Sequence, residues 1–285
     1  MNRIFFLVGF PRSATTALSR ILAKATNAEV FVEQTPRLRR DSIDYLYGRK
    51  SDADAILRAA KSEAIRDTLN KGKIYGDKNP CLMPFVRPLY DLYASRFVFI
   101  TRDGRDCVTS LMNWHKHKAR NIFNSPPDLI PEGNFGPEPD PWDYSRIRPQ
   151  PGDPLHTRWH ELDRFEKCAW YWNAFNREAL RRFSGLPKES WIRLDVGGLD
   201  AAAIQAVFDF LELEGFSQEA VDAMLSRRIN SVEDRTGKTS DFPRHPDWTE
   251  AQTLRFWRQA RPMMQALGYE TGPEESNATF LEDTP

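Results

Sequence analysis

Apolar positions along the chain follow two rhythms. Short continuous apolar runs are too brief for helices and read as buried strands: Ile4-Phe5-Phe6-Leu7-Val8, Val30-Phe31-Val32, Lys73-Ile74-Tyr75-Gly76, Arg96-Phe97-Val98-Phe99-Ile100-Thr101 and Trp191-Ile192-Arg193-Leu194. Between them lie stretches with apolar residues at helical spacing. The first begins at Ser13–Thr16, runs through Leu18, Ile21 and Leu22, and ends near Ala25–Asn27. Others cover 52–70 (Ile56, Leu57, Ala60, Ala64, Ile65, Leu69), about Met83 to Tyr93, and Val108, Leu111, Met112 and His115. Later ones are Glu161–Phe183, Ala201–Leu213, Gln218–Leu225 and Thr249–Leu267. Strands alternating with helices predict an α/β fold: a P-loop-like three-layer sandwich with a central, mainly parallel sheet flanked by helices.

Between about 121 and 160 the pattern breaks. Prolines 126, 127, 131, 137, 139, 141, 149, 151 and 154 interrupt regular structure, with Trp142, Tyr144 and Trp159 interleaved. A stretch this long inside one domain reads as a substrate-covering insertion. The length of 285 residues fits a single domain carrying this insertion, followed by a polar tail from about 270. Ile229–Pro246 reads as a polar loop containing Ser231 and Lys238.

Composition narrows the partners. With 40 basic and 40 acidic residues, nothing argues for wholesale attraction to nucleic acid or to a membrane surface, so any anion site is local. No run approaches the ~18 apolar residues of a membrane span. The three cysteines Cys81, Cys107 and Cys168 have neither metal-ligand spacing nor the density of a disulfide framework. The first strand begins at Arg3 with no charged-then-apolar leader. The expectation is a cytoplasmic protein without a metal.

Candidate chemistry concentrates at strand ends, where ligands of parallel α/β sheets collect. Gly9 closes the first strand, and Pro11-Arg12-Ser13-Ala14-Thr15-Thr16 leads into the helix. Strand, turn and helix N-terminus form a phosphate cradle, with backbone N–H groups and the helix dipole converging on one point. Arg12 adds a charge; Ser13, Thr15 and Thr16 add hydroxyls. The ATP- or GTP-binding pattern G-x-x-x-x-G-K-[ST] requires a glycine where Ala14 stands and a lysine where Thr15 stands. Glu33 follows the second strand, Lys78-Asn79-Pro80 the third, and Arg102 the fourth, with Ser110 in the helix that follows. Arg37, Arg39 and Arg40 read as a solvated basic face.

The loop Gly9-x-Pro11-Arg12-Ser13-Ala14-Thr15-Thr16 resembles the 5′-phosphosulfate loop of sulfotransferases that use 3′-phosphoadenosine-5′-phosphosulfate (PAPS), in which glycine usually stands where Ala14 does. The Arg102…Ser110 pair resembles that family's 3′-phosphate signature. The chain is most similar to the branch holding bacterial and tyrosylprotein sulfotransferases. The resemblance implies Pro11, Arg12, Ser13, Ala14, Thr15, Thr16, Arg102 and Ser110 as cofactor contacts, with Ser231 and Lys238 from the late loop. It implies Glu33 as base, and Arg12 and Lys78 as charge stabilisers, in sulfuryl transfer to a hydroxyl; the expected cytoplasmic setting points to a hydroxyl of a sugar, glycolipid or small metabolite. It also departs at Leu194-Asp195-Val196-Gly197, where the family often carries Tyr-Glu-Asp-Leu. Two other readings stay open: a P-loop kinase or hydrolase with Asp103 as the magnesium carboxylate, and a non-catalytic nucleotide- or carbohydrate-binding protein. His115 is the reserve base.

Overall fold

The structure is a computed structural model that describes residues 3–114, 123, 146–226, 242–269 and 272. Its strands are β1 (Ile4–Gly9), β2 (Ala28–Val32), β3 (Ile74–Lys78), β4 (Arg96–Thr101) and β5 (Trp191–Asp195). Its helices are α1 (Thr15–Leu22), α2 (Arg39–Leu46), α3 (Ala53–Asn70), α4 (Val86–Tyr93), α5 (Gly104–Trp114), α6 (Arg164–Phe183), α7 (Ala201–Leu211), α8 (Gln218–Leu225) and α9 (Glu250–Ala266). The five strands form one sheet in the order β2-β3-β1-β4-β5, every pairing parallel. The expected three-layer α/β sandwich is observed.

Alternation along each strand assigns the faces. Val8, Phe97 and Phe99 join the cluster that holds α2 to α6 and α9, whereas Leu7, Val98 and Ile100 join the cluster with α1, α7 and α8. Both faces are covered, which is why β1 and β4 read as unbroken apolar runs. The thicker layer is built on α6, where Trp172 and Phe183 are fully buried and an Asp163–Glu166 capping box fixes the helix start.

Most elements fall where the apolar pattern predicts them. The segment before α4 differs: Pro80–Phe85 forms a 3₁₀ turn, because Pro84 breaks what the spacing reads as one helix. The short helix α2 was not expected from its polar sequence, Arg-Arg-Asp-Ser-Ile-Asp-Tyr-Leu. Glu33 and Gly9 lie at the same C-terminal edge of the parallel sheet, with β3 between their strands. Of the 121–160 insertion, only residue 123 and residues from 146 onward are among those described. Trp159 there is buried, its ring 5.2 Å from Trp170. The tail from 270 lies outside the described residues apart from Gly272.

Two small residues shape the loop after β1. A Cβ on Gly9 would lie 2.7 Å from the Ile100 carbonyl oxygen and 2.9 Å from Thr15 Cγ2, so β1, β4 and α1 meet there only without a side chain. Ala14 has a φ of 52°, in the left-handed region where an L side chain is strained. Gly9→Ala is expected to destabilise the fold by about 1–3 kcal/mol, because the clash is with backbone. Ala14→Gly is expected to raise stability by about 0.5–1 kcal/mol, the relieved strain exceeding the added unfolded-state entropy. Denaturant unfolding of both variants checks the two signs.

Candidate active site

The loop after β1 is curled by two residues in the left-handed region. Arg12 and Ala14 both take positive φ, 77° and 52°, which curls successive N–H groups to one side. The N-cap of α1 is Ala14, which makes no side-chain hydrogen bond, and the first turn holds no acidic residue. The first N–H groups of α1 therefore have no cap from their own N-cap side chain, and no carboxylate of the first turn offsets the helix's positive end. Ser13 is buried and turned inward: its N–H donates to the Phe10 carbonyl at 3.1 Å, and its Oγ lies 3.5 Å from Cys107 Sγ. Burial pushes the Cys107 thiol up to about 12, so this contact involves a neutral thiol at physiological pH. Thr15 is buried and Thr16 half-buried at the helix start. Pro11 is half-buried in the turn between them and β1.

Across β4, the second motif comes to the same loop. Arg102, just past the strand, donates through Nη1 to the Arg12 carbonyl at 3.0 Å. Its Nε and Nη2 reach Asp106 Oδ2 at 3.3 and 3.0 Å. Arg12 in turn donates through Nε to Ser110 Oγ at 2.8 Å. Arg12, Arg102 and Ser110, read from the sequence as parts of two motifs, thus form one half-buried cluster. Trp172 of α6 donates its indole N–H to the Arg102 carbonyl at 3.2 Å and fixes the strand end from below. Asp103 faces Arg105, with Oδ2 2.6 Å from Nη2 and Oδ1 3.0 Å from Nε.

The third group lies on the other side of β1. Val32 and Lys78 are in register across β2 and β3, and the Glu33 N–H donates to the Lys78 carbonyl at 2.7 Å. Lys78 Nζ is 2.8 Å from Glu33 Oε1, with side-chain exposures of 4% and 21%. Glu33 itself has a φ of 53°. Left-handed conformation in a non-glycine residue gathers at functional sites. Burial alone would raise the Glu33 carboxyl, but the Lys78 ammonium, with Arg37 and Arg39 farther out, outweighs it and holds the group below its ordinary value. Asn79 takes the expected extended conformation before Pro80; its Nδ2 donates to the Arg37 carbonyl at 3.0 Å and its Oδ1 accepts from the Cys81 N–H at 2.9 Å. Because β1 separates β3 from β4, Lys78 and Arg102 end strands on opposite sides of the loop after β1.

The basic run at 37–40 is not the solvated face its charge suggests. Arg39 is buried in the first turn of α2, and Arg37 is half-buried, both within electrostatic reach of Glu33. Sequence reasoning also missed a fully buried ion pair beneath Glu33, Lys61 with Asp77, at 2.8 Å. A signal was present: Lys61 stands four residues from both Leu57 and Ile65, inside the apolar stripe of α3. His245, for which the sequence offers no pattern, has its Nδ1 4.0 Å from Asp106 Oδ1. Ser231, Lys238 and His115 lie outside the described residues. Leu194, where the resemblance would place a tyrosine, is buried in the α1-side core. Among the described residues no group of three or more His, Cys, Asp or Glu could hold a metal ion, and no helix is long and apolar enough to cross a membrane.

No family model matches the chain, and no curated protein is significantly similar to it. Among solved structures it is similar in fold to the sulfotransferase domain from the curacin biosynthetic pathway, at 14% identity over 94% of this chain and 98% of that one, with a TM-score of 0.48. It is likewise similar to the sulfotransferase domain of the Synechococcus PCC 7002 olefin synthase, at 13% identity, 94% of each chain and a TM-score of 0.49. A third is a sulfotransferase from Alicyclobacillus acidocaldarius, at 12% identity, 93% of this chain and 96% of that one, with a TM-score of 0.45.

The lowered Glu33 carboxyl has a consequence for stability. A depressed folded-state value contributes stability that is complete above the ordinary value of 4.5 and is lost as pH falls through the lowered one. The melting-temperature difference between the wild type and Glu33→Gln should therefore be constant above that ordinary value and shrink below it. A difference independent of pH would mean that the Glu33–Lys78 pair does not form in solution.

Proposed function

We propose that the chain is a PAPS-dependent sulfotransferase, moving the sulfuryl group from the 5′-phosphate of PAPS to a hydroxyl of a sugar, glycolipid or small metabolite. One observation carries this reading: Arg12 and Ser110, 98 positions apart, are joined at 2.8 Å while Arg102 holds the Arg12 carbonyl, so two anion-facing motifs form one surface. A bis-phosphorylated nucleotide has two separate charged ends, which suits such a surface. The loop lacks the lysine that a kinase uses at the terminal phosphates, and Asp103, its magnesium candidate, is paired with Arg105.

In this reading the loop N–H groups, Thr15, Thr16 and the α1 N-terminus hold the 5′-phosphate. Arg102 and Ser110 hold the 3′-phosphate, with Arg12 between the two. Guanidinium and hydroxyl donors to phosphate are strong because one partner is charged. The donor supplies the activated sulfuryl group. Sulfuryl transfer resembles phosphoryl transfer, so the protein's work is alignment and charge stabilisation. Lys78 neutralises charge gathering on the bridging oxygen of the leaving phosphate.

Glu33 takes the proton of the acceptor hydroxyl. Paired with Lys78, its carboxylate is ionised but a poor proton acceptor. As Lys78 turns toward the leaving oxygen, Glu33 loses its counter-charge and its affinity for a proton rises. The base thus strengthens when the donor is in place. A binding protein without transferase activity would have no use for this coupling.

Transfer of labelled sulfate from PAPS to an extract of the source cell tests the activity. Glu33→Gln should lower kcat by about 10²- to 10⁴-fold with the KM for PAPS changed little. Unchanged turnover would remove Glu33 from the role. Arg102→Ala should weaken PAPS binding by about 10- to 150-fold, as loss of a charged hydrogen bond implies. Wild-type affinity there would place the 3′-phosphate elsewhere.

A further inference from the structure

Beneath Glu33 lies a polar cluster with no part in the chemistry above. Lys61 of α3 and Asp77 of β3 are paired at 2.8 Å, both side chains entirely shielded from solvent. Burial pushes the Asp77 carboxyl up, and the charge and hydrogen bond of Lys61 are the main opposition. Buried ion pairs are poor devices for stability, since apolar replacements of similar volume are often neutral or better. What this pair does locally is hold one residue by both of its backbone polar groups. Lys61 Nζ donates to the Gln34 carbonyl at 3.2 Å, and the Gln34 N–H points at Asp77 Oδ1, 3.4 Å away. Tyr75, two residues before Asp77 on the same strand face, donates its hydroxyl to Gln34 Oε1. Gln34 is thereby fastened at its N–H, its carbonyl and its side chain.

Gln34 directly follows Glu33, whose φ of 53° is strained for a residue with a side chain. Such a conformation persists only where its surroundings over-determine it. On one side the Glu33 N–H is held by the Lys78 carbonyl at 2.7 Å. On the other side the hold comes from Gln34. We infer that Lys61, Asp77 and Tyr75 are positioning residues for Glu33: by clamping Gln34 at its N–H, carbonyl and side chain they keep Glu33 left-handed and its carboxylate on Lys78. They touch neither donor nor acceptor. The inference rests on the reading of Glu33 as the base, because only a base needs its carboxylate held at one place beside Lys78.

The test follows the Glu33 carboxyl by NMR, in full-length protein labelled with ¹³C at glutamate carboxyls. Its resonance is assigned by its disappearance in Glu33→Gln. Lys61→Met/Asp77→Leu removes both charges together, so neither is left buried without a partner. In the wild type Glu33 should titrate below its ordinary value of 4.5. In the double variant it should rise by about half a pH unit or more as contact with Lys78 loosens. Affinity for 3′,5′-adenosine bisphosphate (PAP) should stay within about twofold, since the loop and Arg102 are untouched. Tyr75→Phe, which keeps the ion pair and fills the same space, should move Glu33 in the same direction by less, and it decides the matter if the double variant does not fold. An unchanged Glu33 titration in the variants that fold overturns the inference. Failure of the base reading looks different: full sulfate transfer by Glu33→Gln, whatever Lys61 and Asp77 do to its titration.

Discussion

The hydrogen bond from Arg12 to Ser110 joins two strand ends into one polar, positively charged surface. Without it the loop after β1 and the helix after β4 would be neighbouring features, each with a motif. With it, and with Arg102 on the Arg12 carbonyl, the guanidinium groups and the serine hydroxyl share one place. The sheet makes this contact available. β1 is flanked by β3 and β4, so its loop emerges between Lys78 and Arg102, and Gly9 lets the three elements close up. The same order sets β3 between Glu33 and the loop, and the Glu33 carboxylate pairs with Lys78 of that intervening strand.

Polar groups here are costly to bury, and the fold handles them by pairing. Lys78 with Glu33, Lys61 with Asp77, and Arg102 with Asp106 each put a charge against its opposite within 3.0 Å. Burial and partner act in opposite directions on Glu33, and the partners prevail. Beneath the surface the support is aromatic. Phe10, next to Gly9, packs at 4.7 Å from the Tyr171 ring and 5.5 Å from the Phe175 ring of α6, so the loop springs from a rigid base. Trp172 of the same helix holds the Arg102 carbonyl. One long helix therefore braces both the loop after β1 and the end of β4.

The strands were legible because a buried parallel sheet needs unbroken apolar runs; Arg96–Thr101 appears with the predicted bounds. Residues at strand ends were legible as candidates because ligands of this architecture collect there. Spatial partners were not. Nothing in a linear reading says that Arg12 reaches Ser110, or that β3 inserts between β2 and β1. The short helix α2 was hidden by its polar sequence, and with it the burial of Arg39. Lys61 was visible as a polar residue in an apolar stripe, yet its partner Asp77 sits in a strand that the apolar pattern ends too early, at Gly76 rather than Lys78. Asp77 and Lys78, charged residues at the strand's last positions, break the apolar rhythm by which a strand is read.

The most direct test of the account is calorimetric titration of the protein with PAP, with adenosine 5′-monophosphate and with ATP–Mg²⁺. A surface on which Arg12, Arg102 and Ser110 serve one bis-phosphorylated nucleotide predicts that PAP binds at least about tenfold more tightly than the monophosphate, the difference being the charged hydrogen bonds to the 3′-phosphate. ATP–Mg²⁺ should bind more weakly than PAP. Equal affinity for PAP and the monophosphate, or a preference for ATP–Mg²⁺, would contradict it.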